Sequence, residues 1–239
     1  MDISQWLREQ AASLGITLTD EQLDQFAMYY ERLVEKNRVM NLTAITEQED
    51  VYIKHFYDSL LLAAVVPIDQ INSLIDVGTG AGFPGIPLKI AFPHLRVVLL
   101  DSLNKRVSFL AELVRELRLD KVETIHGRAE EWGRRTGYRE AFDLATARAV
   151  AKLNVLAEYC LPFVHVGGSF VAMKGPDVTE EQREAKTALQ RLGGGEIADH
   201  PFTLPKEKGT RHLLVIRKRA NTPKAYPRKP GTPAKQPIV

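Results

Sequence analysis

Apolar and polar residues follow two different periods along this chain. Over Leu23–Asn37 apolar residues recur every three or four positions, which predicts an amphipathic helix with one face toward a core. Thr19 and Gln22 have the spacing of a capping box, so we expect the helix to begin beside them. A shorter helix before it and another over residues 51–66 complete a helical cap, residues 1–70.

Beyond residue 70 short apolar runs alternate with helical patterns. This alternation is typical of a sheet wound on both faces by helices. Parallel strands are predicted at 74–77, before Asp101, at 122–125, 142–145 and 169–173, and an antiparallel pair at 196–204 and 212–217. The predicted fold class is therefore α/β and Rossmann-like, with a mostly parallel seven-stranded sheet in a core of residues 71–216.

Composition is that of an ordinary globular protein of 239 residues, with 44% hydrophobic and 26% charged positions. The longest apolar run, 60–66, is too short to span a membrane, and residues 1–10 lack a signal-peptide pattern. The single Cys160 excludes an internal disulfide, and no Cys/His cluster has metal-ligand spacing. We expect a cytoplasmic protein without a metal.

The last residues of the chain differ in charge from the rest. Residues 217–239 hold seven Lys or Arg, no acid and five prolines, although the whole chain has a net charge of only +2. Such a segment is expected to be a flexible tail, because it cannot form a core. Its charge favours a polyanion such as RNA; a merely solubilising tail is equally compatible.

A glycine-rich turn follows the first predicted strand. Gly78, Gly80 and Gly82 let the backbone turn sharply and approach a ligand where a Cβ would collide. Asp101 ends the next strand, where a carboxylate can accept hydrogen bonds from both hydroxyls of a ribose. This unit predicts an adenosine-containing ligand.

The same turn also satisfies the dinucleotide pattern G-x-G-x-x-G, through Gly80, Gly82 and Gly85. In dinucleotide folds the first glycine of that pattern directly follows the strand, whereas here Gly78 does. Asp76 at the strand end would repel a pyrophosphate and could organise the loop around a cationic ligand. The turn therefore looks like the first motif of S-adenosylmethionine-dependent methyltransferases, with a dinucleotide site or a structural turn as alternatives.

Further candidates lie at other strand ends, because ligands bind beyond the carboxyl edge of such sheets. Phe83 is placed to wall the pocket. Ala129 and Glu130 follow the third strand, where a backbone amide and an acid could recognise adenine; the acid also suits a helix N-terminus. Arg148 ends the fourth strand and could hold a carboxylate or phosphate, or form a salt bridge.

Several motifs together resemble the glucose-inhibited division protein B family over about residues 1–216. They are Asn41–Ile45, His55-x-x-Asp58-Ser59-Leu60, Asp76–Leu88 with its Gly-Phe-Pro-Gly-Ile-Pro extension, Leu100-Asp101-Ser102 with Lys105-Arg106, and Arg148-Ala149. The resemblance implies an S-adenosylmethionine-dependent enzyme that methylates guanine N7 in 16S ribosomal RNA or the small ribosomal subunit. It also implies cofactor contacts at Gly78, Phe83, Ala129, Glu130 and Arg148.

Guanine N7 chemistry needs no general base, since its lone pair is free at neutral pH, and we name none. Asn41 and Lys174 are candidate RNA contacts, although a helix cap and a snorkelling lysine explain them as well. His55 and Asp58 could form an acid–base pair or an internal hydrogen bond.

Two other functions stay open from sequence alone. One is a methyltransferase of the same fold acting on a small molecule or a protein. The other is a non-catalytic nucleotide-binding module. A basic rim around the pocket would favour RNA, whereas a closed apolar pocket would favour a small molecule.

Overall fold

A seven-stranded sheet forms the centre of the computed structural model, which describes residues 2–148 and 151–239. The spatial order of the strands is β3-β2-β1-β4-β5-β7-β6. Their bounds are β1 Ser73–Val77, β2 Arg96–Asp101, β3 Val122–His126, β4 Phe142–Arg148, β5 Val164–Lys174, β6 Gly194–Thr203 and β7 Thr210–Lys218.

Strands β1 to β5 pair in parallel, and β7 joins β5 antiparallel with β6 beside it. The predicted Rossmann-like fold, with its antiparallel edge, is confirmed. All five residues of β1 are buried, as expected for a parallel strand covered on both faces. Strand β5 begins five residues before the predicted 169, at Val164, and pairs there with Phe142 of β4.

Helices cover both faces of the sheet. The longer ones are α1 Ile3–Ser13, α2 Asp20–Met40, α5 Gly85–Ala91, α6 Asn104–Glu116, α8 Leu153–Cys160 and α9 Thr179–Arg191. Short ones are α3 Gln48–Val51, α4 Asp58–Leu60, α7 Ala129–Trp132 and α10 Thr232–Lys235. None of the helices in the described residues is long and apolar enough to cross a membrane.

Two hydrophobic cores result, one on each face of the sheet. The first packs the N-terminal helices, α5 and α6 on side chains such as Leu74 and Leu99. The second packs α8 and α9 on side chains such as Ile75 and Val98. Successive residues along a strand thus pack into opposite cores, because their side chains point to opposite faces of the sheet.

Helix α2 begins with the predicted capping box. The Thr19 hydroxyl accepts the Gln22 amide, and the Gln22 side chain accepts the Thr19 amide. Tyr29 lies one turn from Phe26 and Leu33 and is fully buried, although it carries a polar hydroxyl. Its hydroxyl donates to the Ala81 carbonyl at 2.7 Å, so the helical cap is hydrogen-bonded directly to the glycine turn.

The helix predicted over residues 51–66 changes its winding along its length. It starts as α3, becomes a π-helix over Tyr52–Tyr57, returns to α4 and ends in a 3₁₀ turn at Leu61–Ala64. π-helical turns are rare and are frequent at functional sites, because they displace side chains from their ordinary positions. Here that stretch carries His55.

The C-terminal residues differ from the expectation of a flexible tail beginning at 217. Arg217 and Lys218 belong to β7, and the residues after them lie on the core in defined contacts. Lys218 is fully buried, and its ammonium donates to the Leu161 carbonyl at 2.7 Å. Burial lowers the pKa of Lys218 to about 8.

Gly85, the first residue of α5, has no room for a side chain. A Cβ there would lie 2.5 Å from Leu99 Cδ2 and 3.0 Å from Asp76 Oδ2, both buried. We expect Gly85→Ala to lower the free energy of unfolding by about 1–3 kcal/mol through overpacking. Urea denaturation measures it, with Gly175→Ala as control because a Cβ there meets nothing within 4 Å. Equal stability of the two variants would contradict the packing.

Candidate functional site

A cavity of about 390 Å³ opens at the carboxyl edge of the sheet, beside β1 and β2. It combines the glycine turn, the end of β2, the end of β4 and two parts of the N-terminal cap. The lining residues are Leu42, Thr43, His55, Gly78, Thr79, Gly80, Ala81, Phe83, Asp101, Ser102, Arg106 and Arg148. Five of the sequence-predicted site residues meet here: Gly78, Gly80, Phe83, Asp101 and Arg148.

Backbone hydrogen bonds fix the glycine turn to the neighbouring strand. The amides of Gly78 and Thr79 both donate to the Leu100 carbonyl, at 2.8 and 3.2 Å. Gly80 has a φ of +62°, a left-handed conformation that glycine adopts without strain. A Cβ on Gly80 would meet no protein atom within 4 Å, so this glycine faces the open space of the cavity.

Asp101 supports the turn from the end of β2 and is 3% exposed. Its Oδ2 accepts the Gly80 amide at 2.9 Å, and its Oδ1 accepts the Leu103 amide at the same distance. A carboxylate has about four lone-pair sites. Asp101 therefore keeps acceptor capacity for hydroxyl donors in the cavity.

Asp76 lies beneath the turn and is fully buried. Its Oδ2 accepts the Thr79 hydroxyl at 2.7 Å and the Gly85 amide at 2.9 Å. Its Oδ1 is buried without a partner among the described residues. Burial raises the pKa of Asp76 to about 6. The carboxylate thus organises the loop, as the sequence suggested.

Phe83 forms one wall of the cavity through stacked rings. Its ring stacks on His55 at 4.5 Å between centroids and on Tyr29 at 5.2 Å. The Lys54 carbonyl can only accept, so His55 Nδ1 donates to it at 3.0 Å. His55 Nε2 is then the acceptor for the Thr43 hydroxyl at 2.9 Å.

His55 is a neutral group in this site. Burial, together with the positive charge of Arg148, lowers the pKa of His55 to about 3. Both ring nitrogens have partners, and Asp58 is not one of them. The acid–base pair considered from sequence is therefore not formed.

Arg148 and Arg211 share the buried carboxylate of Asp58. Arg148 Nη1 lies 3.3 Å from Asp58 Oδ2, and Arg211 Nε approaches the same oxygen at 3.3 Å. Arg148 also donates to the Lys54 carbonyl at 3.2 Å, and its guanidinium lies 4.8 Å from the centre of the Phe83 ring. The salt-bridge reading of Arg148 is correct, and the same residue still lines the cavity.

Ala129 and Glu130 lie next to the cavity rather than in its wall. They begin α7 directly after β3, and the Gly127 amide donates to the Asp101 carbonyl at 3.0 Å, which joins the two strand ends. The Glu130 carboxylate is buried and accepts the Gly231 amide at 2.8 Å. A glutamate bonded to a residue so far along the chain could not be foreseen from local sequence.

Three other sequence candidates do not line the cavity. A Cβ at Gly82 would strike Tyr29 Oη at 2.7 Å, so this glycine serves packing. Asn41 is the exposed left-handed C-cap of α2, beside the lining residue Leu42. Lys174 is 8% exposed and bonds to the Ala151 carbonyl and to Glu181, both at 2.6 Å. Ala149, part of one quoted motif, lies outside the described residues.

A second depression, of about 500 Å³, lies between α9 and β6. Its lining includes Lys186, Gln190 and Glu196 beside Gly194 and Gly195, but no buried carboxylate. Within residues 2–148 and 151–239, no cluster of three His, Cys, Asp or Glu side chains could hold a metal ion. The cavity at β1 and β2 is therefore the candidate for chemistry.

Solved structures share this architecture. An S-adenosylmethionine-dependent O-methyltransferase from Thermotoga maritima aligns with a TM-score of 0.53 at 15% identity, covering 80% of this chain and 72% of that one. A precorrin-6y C5,15-methyltransferase from Geobacter metallireducens aligns with a TM-score of 0.51 at 13% identity, covering 75% and 92%. These likenesses concern the fold.

Sequence relatives are much closer. A protein of Brevibacillus brevis is 54% identical over 231 residues, 97% of each chain, and one of Bacillus subtilis is 52% identical over 227 residues, 95% of each. Both are named ribosomal RNA small subunit methyltransferase G. The family model described as rRNA small subunit methyltransferase G matches residues 22–214.

Fold, site and relatives together define an S-adenosylmethionine-dependent methyltransferase. The chain belongs to the family described as rRNA small subunit methyltransferase G, which confirms the family resemblance in its sequence.

The residues of the cavity fit S-adenosylmethionine. Gly80 leaves space beside the turn, and Asp101 has acceptors free for ribose hydroxyls. The unpartnered oxygen of Asp76 gives negative potential beneath a ligand that carries positive charge. When bound, that cofactor supplies an activated methyl group.

Sequence reasoning missed several lining residues, among them Thr43 and Arg106. Arg106 lies 3.5 Å from Asp101 Oδ2, one turn after the strand end that the glycine pattern identified. Its position in the first turn of α6, within the quoted Lys105-Arg106 pair, was the available signal. Thr43 lies within the quoted motif Asn41–Ile45, but its contact with His55 could not be foreseen, because it depends on the π-helix.

The pKa of His55 makes stability depend on pH. The folded pKa of about 3 lies below the ordinary value of 6.5, so the unfolded state binds a proton first as pH falls. The free energy of unfolding therefore falls as the pH drops below 6.5. His55 accounts for about 2 kcal/mol of this loss between roughly pH 6.5 and 4.5.

We expect His55→Gln to flatten this part of the stability profile, measured by urea denaturation at several pH values. His94→Gln is the control, since His94 is exposed and does not line the cavity. An unchanged acid slope in His55→Gln would contradict a neutral, buried imidazole.

Gly80→Val should block cofactor binding, because its side chain would enter the cavity. We expect affinity for S-adenosylhomocysteine to fall about 100-fold or more, equal to roughly 3 kcal/mol, in isothermal titration calorimetry. Gly137→Val is a matched control, with a φ of +87° and open space around its Cβ, so it carries similar backbone strain outside the site. Unchanged affinity in a folded Gly80→Val protein would mean that the cavity is not the cofactor site.

Proposed function

We propose that this chain transfers a methyl group from S-adenosylmethionine to N7 of a guanine in 16S ribosomal RNA. The observation that supports this most directly is the cavity at the carboxyl edge of β1 and β2, in a chain of this family. Its buried carboxylates suit a cofactor with a ribose and positive charge.

For the cofactor we assign roles to the residues that the sequence singled out. Gly78 and Gly80 give the backbone its close approach, and Asp101 accepts from the ribose hydroxyls. Ala129 and Glu130 supply the adenine side from the neighbouring strand end. Phe83 and Arg148 form one wall of the cofactor site, beside His55 of the cap.

Guanine N7 as acceptor agrees with the groups at the cavity. No proton leaves N7 before attack, so the reaction needs alignment and electrostatic stabilisation rather than a base. His55 has both nitrogens engaged and stays neutral, so it adds no positive charge where the base becomes cationic. Cys160 is fully buried, and burial raises the pKa of its thiol, which removes it as a nucleophile.

RNA contacts are proposed at the rim. Asn41 is exposed beside the lining residue Leu42, where its amide can reach a base or phosphate. Arg106 is one-third exposed in the cavity wall and adds positive charge there. For Lys174 an RNA contact would require its bond to Glu181 to open.

The decisive experiment is transfer of a labelled methyl group to small ribosomal subunits that lack the modification, and in parallel to naked 16S RNA. We expect stoichiometric 7-methylguanosine at one site, identified by mass spectrometry of the nucleosides. Another methylated nucleoside would overturn the N7 assignment. Binding of S-adenosylhomocysteine without any labelled RNA would move the substrate to a small molecule or protein.

A further inference from the structure

We propose that the C-terminal strap, residues 219–239, positions the adenine side of the cofactor site. The strap holds the first residues of α7 in place against α8. It thereby fixes the backbone of Ala129 and Glu130. The inference rests on the proposed function, in that it takes this segment to contact the cofactor. It makes residues far outside the cavity a determinant of cofactor affinity.

Two arginines after α7 bind the strap through its backbone. Arg134 donates to the Pro227 carbonyl at 2.7 Å and also to two carbonyls just before it. Arg139 donates to the Thr222 carbonyl at 2.6 Å and to others within residues 222–227. Arg139 also donates to the Gly133 carbonyl at 3.1 Å, at the C-cap of α7. The strap backbone is thus a main partner of this segment.

Glu130 is the direct link between strap and site. Its carboxylate is 3% exposed, and it accepts the Gly231 amide at 2.8 Å. A buried carboxylate without a donor would be costly, so the strap stabilises Glu130 in this orientation. The backbone amide of Glu130 is thereby held at the start of α7.

The other side of the strap is anchored on α8. Arg228 makes a forked pair with the buried Glu158, with contacts of 2.9 Å from Nε and 2.6 Å from Nη2. The Arg228 backbone amide also donates to Glu158, at 2.7 Å. Ile238 is buried, and its carbonyl accepts the Asn154 side chain at 3.3 Å. These contacts fix the strap to the helix that follows β4.

The strap therefore joins the structures behind two ligand-facing strand ends, those of β3 and β4, which β2 and β1 separate in the sheet. On one side is the segment after β3, which is bonded to Asp101 through Gly127. On the other is α8, the helix that follows Arg148 in the chain. Prolines support this role, because a fixed φ lowers the entropy lost when the strap becomes ordered.

The cationic side chains of the strap fall into two groups. Arg228 is neutralised within the fold by Glu158, whereas Lys224, Lys229 and Lys235 are exposed. The exposed lysines agree with the RNA contact considered from sequence. The internal contacts favour positioning, and the experiment separates the two.

The test compares full-length variants. Arg228→Met with Glu158→Gln removes the anchor without leaving a buried charge alone. We expect the dissociation constant for S-adenosylhomocysteine and the KM for S-adenosylmethionine to rise about tenfold, while kcat and the KM for RNA change little. Thermal unfolding checks that the variant is folded. Arg134→Met, an exposed position, serves as a second variant and should weaken cofactor binding in the same direction.

Lys229→Met is the matched control, because it removes one positive charge from the strap at an exposed side chain. It should leave cofactor affinity unchanged. An equal rise in the KM for RNA with both Lys229→Met and the Arg228 variant, at constant cofactor affinity, would overturn positioning in favour of RNA binding. Unchanged cofactor affinity in the folded Arg228 and Arg134 variants would also overturn it.

The direct cofactor measurement separates this inference from the proposed function. A strap effect on S-adenosylhomocysteine affinity stands even where no RNA is methylated, and in that case only the substrate assignment fails. Methylation of RNA with no strap effect would leave the proposed function intact and remove the strap's role.

Discussion

Two buried carboxylates, Asp76 and Asp101, are the constraint on which the site depends. The backbone amides of the glycine turn are buried or half-buried, and such amides need hydrogen-bond acceptors. Asp76 takes the Gly85 amide and the Thr79 hydroxyl, and Asp101 takes the Gly80 amide. Because both acids lie at the ends of adjacent parallel strands, the sheet itself determines the shape of the loop. The negative charge that stabilises the turn is the same charge that favours a cationic cofactor.

Local pattern was enough for the fold, because buried strands show as short apolar runs and the helices as amphipathic repeats. The capping box of Thr19 and Gln22 and the alternation after residue 70 are read within a few positions of the chain. The π-helix at Tyr52–Tyr57 was beyond such reading, since its winding shows no distinct apolar period. The C-terminal strap was expected to be flexible because its composition is basic and rich in proline. Composition does not show that buried acids elsewhere in the fold can bind such a segment.

The sequence predicted those lining residues that lie at or just after the end of a strand, such as Gly80, Asp101 and Arg148. It was not predictable where partners lie far apart in sequence. Asp58 meets Arg148 across 90 positions and Arg211 across 153. Tyr29 reaches Ala81 from the helical cap. Gly82 shows the opposite error, since a glycine in a motif can be required by packing against Tyr29 rather than by a ligand. Composition alone cannot distinguish the two.

The bond between Gly231 and Glu130 has a consequence for the order in which the molecule folds. Its partners are 101 positions apart, and β4, β5, β6 and β7 all lie between them in the chain. Contacts between residues far apart in sequence form slowly, because the entropy of closing the loop is lost before the contact is gained. The capping box of Thr19 and Gln22 needs only a local turn, so it can form early. The bond to Glu130 therefore belongs to the last stage of folding, and until then water solvates this carboxylate.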